Sequence, residues 1–301
     1  MKNYSPDIAA YKLVGKRLAL GKSRHLVKAK NEHLICGAST ALAHTRSLQY
    51  LGNWMHSTTG KHLKNLSDED AFSYLTLRAL TVGQSAVDLD RQAINFHLLY
   101  ENPIPFIAST IERKLTNRAY TSAQLQLLVA DANEKMRLSI EICIDTGMRA
   151  VELITIAPLE SLTESERNNW HSARFLGRED DVAFVVSGKG GLRRQVRLSR
   201  DRAQQLLLHK RPSPITVFDR KVSHRSYFDL IAGANFSMQF SNLSREVLGM
   251  SSGAHGIRHS FAQKRLRDLI CLGLSFETAL LVLSNELGHF ATTNTFAYLR
   301  D

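Results

Sequence analysis

The chain has 301 residues, a length that predicts about two domains, each with its own core. Its 39 Lys and Arg residues exceed its 28 Asp and Glu residues, and the formal net charge is +11. This excess favours a polyanionic partner, with nucleic acid ahead of an anionic membrane surface. A surface that is merely basic is the alternative at this stage.

Three widely separated cysteines without a CxxC pair argue against a disulfide framework and against a cysteine-based zinc site. The N-terminus lacks the apolar segment and the small-residue cleavage site of a secretory signal. No apolar run reaches the roughly 18 residues that a membrane span needs. We therefore expect a cytoplasmic protein without a membrane partner.

The first part of the chain is predicted to be helical. Residues 1–25 are basic and weakly patterned, which predicts a flexible arm or a short helix. From about Ser39, a candidate helix cap, to Leu99, apolar residues recur at helical spacing. The acidic turn after Ser67 is a typical helix start. We therefore predict an all-α domain over residues 26–110.

A linker is predicted over residues 111–120, because the prolines of "NPIPFI" before it disfavour a helix. Thr121 or Ser122 is suited to cap the helix that follows. The second domain, residues 121–301, has a mainly helical pattern with one β insertion. In "DVAFVVSGKGGLRRQVRLS", β-branched and aromatic runs flank a glycine-rich turn, which predicts a hairpin.

Short motifs of the second domain carry side chains suited to chemistry. In "DTGMRAVELITI", Glu152 follows Arg149 by about one helical turn and could orient its guanidinium toward an anion, although a surface ion pair is the ordinary explanation of this motif taken alone. In "SSGAHGIRHSFAQ", His255 and Arg258 share a helical face and could meet one phosphate. His255 and His259 have metal-ligand spacing, but no nearby Cys or carboxylate completes a site, so we predict no metal.

The remaining motifs contain Lys189 and Tyr298. Lys189 lies in the turn "SGKGG", where an ammonium is normally solvated but can also reach over a backbone break and deliver a proton. The GxxxxGK[ST] pattern is absent, which argues against ATP as a cofactor. In "NELGHFATTNTFAYLR", Tyr298 follows His289 by nine residues, and Thr292 or Thr293 could cap a helix that carries Tyr298. A ring packed at the edge of the core is the alternative.

Taken together and in this order, the motifs resemble the tyrosine recombinase, or phage-integrase, family. That family carries Arg with an acidic residue three positions on, a hairpin Lys, His-x-x-Arg, and "LGH" followed nine residues later by a nucleophilic Tyr. The words "TG-R--EL", "GKG" and "H-IRHSFA" match as well, and the resemblance covers about residues 120–301. The matching residues are Arg149, Glu152, Lys189, His255, Arg258, His289 and Tyr298.

The resemblance implies a mainly α fold with a small sheet, in which an all-α core-binding (SAM-like) domain and an α+β catalytic domain form a C-shaped clamp on DNA. It implies strand cleavage without metal, ATP or another cofactor. Tyr298 attacks the scissile phosphate to form a 3′-phosphotyrosyl bond, and Lys189 protonates the departing 5′-oxygen. Members of the family commonly carry a further helix after the tyrosine, whereas this sequence has three residues there.

The resemblance also implies roles for the other residues. Arg149 and Arg258 contact the non-bridging oxygens of the phosphate and follow its charge into the transition state. His255 is the acid/base partner of the phenol, since an imidazole titrates near working pH. His289 hydrogen-bonds the phosphate, and Glu152 supports the geometry of the site.

Site-specific recombination implies double-stranded DNA with specific sites and a homo-oligomer, which we expect to be a tetramer on DNA, with DNA-bending proteins as optional accessories. Integration or excision of a mobile element is the predicted role. Three alternatives stay open: a Xer-type resolvase of chromosome or plasmid dimers, DNA relaxation like that of type IB topoisomerases, and a non-catalytic DNA-binding protein.

Overall fold

The computed structural model describes residues 5–20, 22, 27, 30, 33–112, 117–167, 169–188, 191–220 and 222–299. The chain divides into two compact units, unit 1 (Met1–Leu115) and unit 2 (Thr116–Asp301). The described part is mainly helical and contains small antiparallel sheets, which confirms the predicted class. None of its helices is both long and apolar enough to cross a membrane. The assignment of a core-binding and a catalytic domain, and the C-shaped clamp, stay predictions.

Unit 1 is built from helices whose apolar faces share one core. The longest helix packs against the first and the last helix of the unit, and side chains such as Leu48, Leu51 and Ile94 are fully buried. Ser67 caps the third helix in a capping box with Asp70, as its acidic first turn predicted. The helices are α1 (Pro6–Gly15), α2 (Ala38–Thr59), α3 (Asp68–Ala79) and α4 (Gln84–His97), with a 3-10 turn at Leu63–Asn65.

The start of unit 1 differs in one detail from the sequence-based expectation. The predicted cap at Ser39 is wrong, because Gly37 is the N-cap of α2 and makes no side-chain bond there. The sequence predicted either a flexible arm or a short helix over residues 1–25, and the structure has a short helix there, Pro6–Gly15. Ser5 caps α1 by accepting the Ile8 N–H, and Pro6 occupies the first helical position, where a missing N–H costs nothing.

Unit 2 surrounds a three-stranded antiparallel sheet with helices. Its hairpin pairs Val182 with Leu198 and Ser187 with Arg193, which confirms the predicted hairpin. Thr121 caps the first helix of the unit in a capping box with Gln124. The elements are α5 (Ser122–Asp131), α6 (Glu134–Thr146), α7 (Glu152–Thr155), β1 (Ala157–Pro158), β2 (Val182–Ser187), β3 (Arg193–Leu198), α8 (Arg200–Leu208), β4 (Lys210–Asp219), β5 (Val222–Phe228), α9 (Gly233–Leu248), α10 (His255–Cys271), α11 (Phe276–Glu286) and α12 (Thr293–Phe296).

A second antiparallel pair, β4 with β5, was not predicted, so the expectation of one β insertion is wrong. Two prolines in β4 argued against a strand, since proline cannot donate to a ladder. The register shifts between Lys210 and Ile215, and this irregularity spans both prolines, so the ladder continues regularly beyond them.

The junction of α6 and α7 brings the candidate site next to α10. Gly147 ends α6 in the left-handed conformation with φ 58. A Cβ there would lie 2.3 Å from the ring of Phe261 on α10, so only glycine fits both the turn and the contact. The backbone after Gly147 therefore runs against α10 immediately before Arg149.

Candidate active site

A single buried carboxylate organises the site. Glu152, which is fully buried, accepts the backbone N–H of Arg149 at 2.7 Å and its Nη1 at 3.0 Å. It also accepts Nη2 of Arg194 at 2.8 Å, and Nη1 of Arg258 lies 4.0 Å away. The surface ion pair considered for Arg149 and Glu152 is therefore excluded, because the carboxylate lies inside a cluster of three guanidinium groups.

The charges of this cluster do not balance. Burial raises the pKa of Glu152, but attraction to Arg194, Arg258 and Arg149 outweighs it and lowers that pKa to about 2. Burial and repulsion from Arg149 lower the pKa of Arg258 to about 10. All four groups are charged at neutral pH, so three guanidinium groups and one carboxylate leave two positive charges in surplus. Such a surplus favours binding of an anion.

Arg258 holds three segments of unit 2 together. It is 1% exposed, and it donates from Nη1 to the Gly147 carbonyl at 2.6 Å and from Nη2 to the Leu287 carbonyl at 2.7 Å. Its Nε lies 3.2 Å from the phenolic oxygen of Tyr298. The guanidinium plane is thereby fixed with one edge directed at the phenol.

Tyr298 lies in the turn after α12 rather than in that helix. The prediction of a Thr-capped helix carrying Tyr298 is wrong, because α12 ends at Phe296 and Thr292 makes no side-chain capping bond. Tyr298 is 6% exposed, and its ring stacks on that of His289, with 5.7 Å between the ring centroids and an interplanar angle of 13°. The His255 ring centroid lies 5.5 Å away. The ring is packed, as the alternative stated, yet its hydroxyl faces the charged cluster.

Both histidines of the predicted set are neutral at pH 7. Burial, followed by repulsion from Arg258, lowers the pKa of His255 to about 4 and that of His289 to about 3. His289 Nε2 lies 2.9 Å from Nη2 of Arg149 and 3.4 Å from Nη2 of Arg258. On its other side, Nδ1 lies 3.3 Å from the hydroxyl of Thr295. Neutral imidazoles can accept a proton.

The charged cluster opens to two depressions on unit 2. A cleft of about 340 Å³ is lined by Arg118, Arg149 and His255, among others. A smaller one of about 200 Å³ is lined by Arg149, Gly188 and His289, among others. Arg149 borders both, and its side chain is 27% exposed. It is therefore the cation of this cluster that an outside ligand reaches first.

The structure gathers six members of the predicted set: Arg149, Glu152, His255, Arg258, His289 and Tyr298. Lys189 lies outside the described residues. Within the part of the chain that is described, no group of three or more His, Cys, Asp or Glu side chains could hold a metal ion.

Sequence reasoning missed Arg194, which is 1% exposed. It joins Glu152 to the Glu286 carbonyl at the end of α11. The signal was available: Arg194, Val196 and Leu198 alternate along β3 and all point inward. A charged residue on the buried face of a strand needs a buried partner.

No protein-family model matches this chain, and no curated protein matches it. Solved structures do match in fold. The XerH site-specific recombinase, bound to palindromic difH substrate after cleavage, is 15% identical with a TM-score of 0.57, and the match covers 99% of this chain and 94% of that one. A lambda integrase tetramer bound to a Holliday junction is 12% identical with a TM-score of 0.56, and the match covers 98% of this chain and 76% of the integrase chain. The Tn1549 transposon integrase with transposon right end DNA is 14% identical with a TM-score of 0.54, and the match covers 96% of this chain and 94% of that one.

The chain has the fold of the tyrosine recombinases. The recombinase fold extends over nearly the whole chain, so the similarity includes unit 1, which the sequence motifs do not reach. At these identities the likeness concerns the fold alone.

Proposed function

We propose that this protein is a site-specific recombinase that cuts and rejoins DNA through a covalent bond to Tyr298. The observation that carries the proposal is the phenolic oxygen of Tyr298, 3.2 Å from a guanidinium of a buried cluster with two surplus positive charges. Phosphoryl transfer needs a nucleophile beside cations that stabilise a phosphate whose negative charge grows in the transition state.

The surplus charge suits the transition state better than the ground state. A phosphodiester carries one negative charge, and its pentacoordinate transition state carries about two. The two positive charges by which Arg149, Arg194 and Arg258 exceed Glu152 match the charge of the transition state. Arg149 and Arg258 are the phosphate ligands in this proposal. Glu152 and Arg194 hold them in place, since Glu152 accepts from Arg149 and from Arg194 and lies 4.0 Å from Arg258.

The reaction forms a bond from the Tyr298 oxygen to phosphorus and breaks the bond from phosphorus to the 5′-oxygen. The phenolic proton passes to His255, whose pKa of about 4 keeps it neutral and able to accept. The departing 5′-oxygen takes a proton from Lys189, an assignment that rests on the motif alone. Attack by a partner strand's 5′-hydroxyl reverses these steps and releases Tyr298.

Duplex DNA is the proposed substrate, and the chain's net charge of +11 supports it. Exchange between two duplexes requires several active sites at once, so we propose a homotetramer on DNA. The similar lambda integrase has been solved as a tetramer on a Holliday junction. The C-shaped clamp, accessory DNA-bending proteins, a role in mobile-element integration or excision and the cytoplasmic location stay predictions.

A covalent trap tests the proposal. Selection from a random duplex library supplies the bound sequence, and a nick close to the scissile phosphate lets the 5′-product diffuse away and prevents rejoining. We expect the purified protein to form a covalent adduct with this DNA, and Tyr298→Phe to form none. Tyr227→Phe is the matched control, since Tyr227 is a half-buried tyrosine of β5 in the same unit, and we expect it to form the adduct normally.

The same material separates the alternatives. An adduct that persists in Tyr298→Phe refutes the nucleophile. Relaxation of supercoiled plasmids that lack the selected sequence, without exchange between two sites, favours the topoisomerase alternative. Tight binding of the selected DNA with no adduct in any protein favours a non-catalytic binding protein.

A further inference from the structure

A chain of hydroxyl groups lies behind His289, on the side away from the arginines. His289 Nδ1 lies 3.3 Å from Thr295 Oγ1, which lies 2.8 Å from Ser284 Oγ. Ser284 Oγ lies 2.7 Å from the Leu280 carbonyl oxygen. Both hydroxyl side chains are 0% exposed, so the chain is sealed from bulk solvent.

The hydroxyl chain alone does not fix where its protons lie. Ser284 Oγ is within hydrogen-bond reach of both the Leu280 carbonyl oxygen and Thr295 Oγ1, and it has one proton for the two. The direction of the bond between Thr295 and His289 is therefore set by the other edge of the imidazole.

The opposite edge of the imidazole decides the tautomer. Nε2 lies 2.9 Å from Nη2 of Arg149, and a guanidinium has donors only. Nε2 must therefore be the acceptor, so the neutral His289 carries its hydrogen on Nδ1 and donates it to Thr295 Oγ1.

We propose that Thr295 is a positioning residue that fixes His289 as the Nδ1–H tautomer and supports its imidazolium once a phosphate binds. The inference rests on the proposed function only for its phosphate-bound half. A phosphate oxygen is an acceptor, so His289 can bond it only after Nε2 has gained a proton from solvent. The bond from Nδ1–H to Thr295 is the same in both states, so the buried hydroxyls need not rearrange.

The groups around His289 explain why a phosphate changes its charge. Burial and three guanidinium groups hold its pKa at about 3 in the free protein, and only one carboxylate opposes them. A bound phosphate adds negative charge within hydrogen-bond reach and raises that pKa. Among the described residues, the charged or titratable groups facing His289 are Arg149, Arg194, Arg258, Glu152 and the stacked Tyr298.

Nitrogen-15 NMR of histidine-labelled protein tests the tautomer without DNA. We expect the Nδ1–H form of His289 in the free wild type, and an Nε2–H form would overturn the proposal. With inorganic phosphate present, we expect Thr295→Val to titrate His289 about one pH unit lower than the wild type, since a hydrogen bond to the charged form is lost. Thr295→Ser, which keeps the hydroxyl, should match the wild type. Equal pKa values in all three proteins would also overturn the proposal.

Thr295→Ala provides a second variant should Thr295→Val fail to fold. It removes the same acceptor of the Nδ1–H of His289, so we expect the same fall in the pKa of His289 with phosphate present. An unchanged pKa in Thr295→Ala counts against the proposal.

The pH dependence of strand cleavage tests the claim that Thr295 supports a protonated His289 when a phosphate is bound. Thr295→Val removes the acceptor of the Nδ1–H and lowers the pKa of His289, so the alkaline limb of its cleavage profile should lie about one pH unit below that of the wild type. An unshifted alkaline limb refutes this claim. A wild type that cleaves no DNA refutes the proposed function instead, while the tautomer result stands separately.

Discussion

In each unit of the chain, a buried carboxylate pairs with an arginine whose side chain is about one quarter exposed, yet the surroundings of the two pairs differ. In unit 1, Asp90 lies 2.8 Å from Arg78, whose side chain is 24% exposed. In unit 2, Glu152 lies 3.0 Å from Arg149, whose side chain is 27% exposed. The unit 1 pair is balanced one to one, with Tyr74 as a further neighbour of Asp90. The unit 2 carboxylate has two additional arginines, both almost fully buried.

The difference separates a structural ion pair from a binding site. A balanced pair has its partners within the fold, and adding an anion would leave a charge unmatched. An unbalanced cluster is destabilised by its own repulsion and gains when an anion arrives. The surplus of charge, rather than the burial of charge, is therefore what distinguishes the site proposed in unit 2, and matched substitutions in the two units can test this.

The largest expected effect is on the stability of unit 2. Glu152→Gln leaves three buried or half-buried guanidinium groups without a carboxylate, and we expect a loss of about 3–5 kcal/mol in the free energy of unfolding. Asp90→Asn leaves only Arg78, which can turn to water, and we expect about 1.5–3 kcal/mol. Urea unfolding of both proteins measures the two losses. Equal losses would show that the two carboxylates have equivalent surroundings.

The pH dependence of the same proteins sharpens this test. The pKa of Glu152 falls from 4.5 to about 2 on folding, so its contribution is fully present above about pH 4.5 and is lost as pH falls toward 2. We expect Glu152→Gln to flatten the stability profile across that window, and a profile as steep as that of the wild type would contradict the low pKa.

A smaller effect, on activity, is expected from replacing Arg149 or Arg78, the two arginines that are about one quarter exposed, with lysine. Arg149→Lys keeps the charge but loses the planar set of donors that reaches Glu152 and His289 together. We expect its strand-cleavage rate to fall about 10²–10³-fold. Arg78→Lys should cleave within about twofold of the wild type when rates are expressed per folded molecule. Comparable losses of cleavage rate in the two variants would mean that cleavage does not depend on the planar donors of the Arg149 guanidinium.

The smallest effect concerns histidine titration. His97 of unit 1 and His255 of unit 2 both have a pKa lowered to about 4, chiefly by burial. The neutral form is favoured on folding, so each destabilises the fold as pH falls from 6.5 toward 4. Inorganic phosphate should raise the pKa of His255 by about one unit and leave that of His97 unchanged. Carbon-13 NMR of the imidazole rings measures both, and a common shift would point to a general salt effect.

The helix starts at Ser67 and Thr121 were predictable because a cap and its first turn are local in sequence. The order of motifs predicted which residues of unit 2 gather. It did not predict how Arg258 reaches the Gly147 and Leu287 carbonyls, because those acceptors are backbone atoms without a residue-type signal. The β4 and β5 pair was missed for a related reason: its prolines are tolerated by an irregular ladder that only the tertiary structure reveals.

The approach of the β2 end to Glu152 has a consequence for attempts to redesign the adjoining turn. A Cβ on Gly188 would lie 2.8 Å from Oε1 of Glu152, although φ of Gly188 lies outside the left-handed range. At Gly191 no atom lies within 4 Å of the corresponding position, but φ is 78. The two glycines thus resist replacement for unlike reasons: a library that admits asparagine should recover substitutions at 191 and almost none at 188.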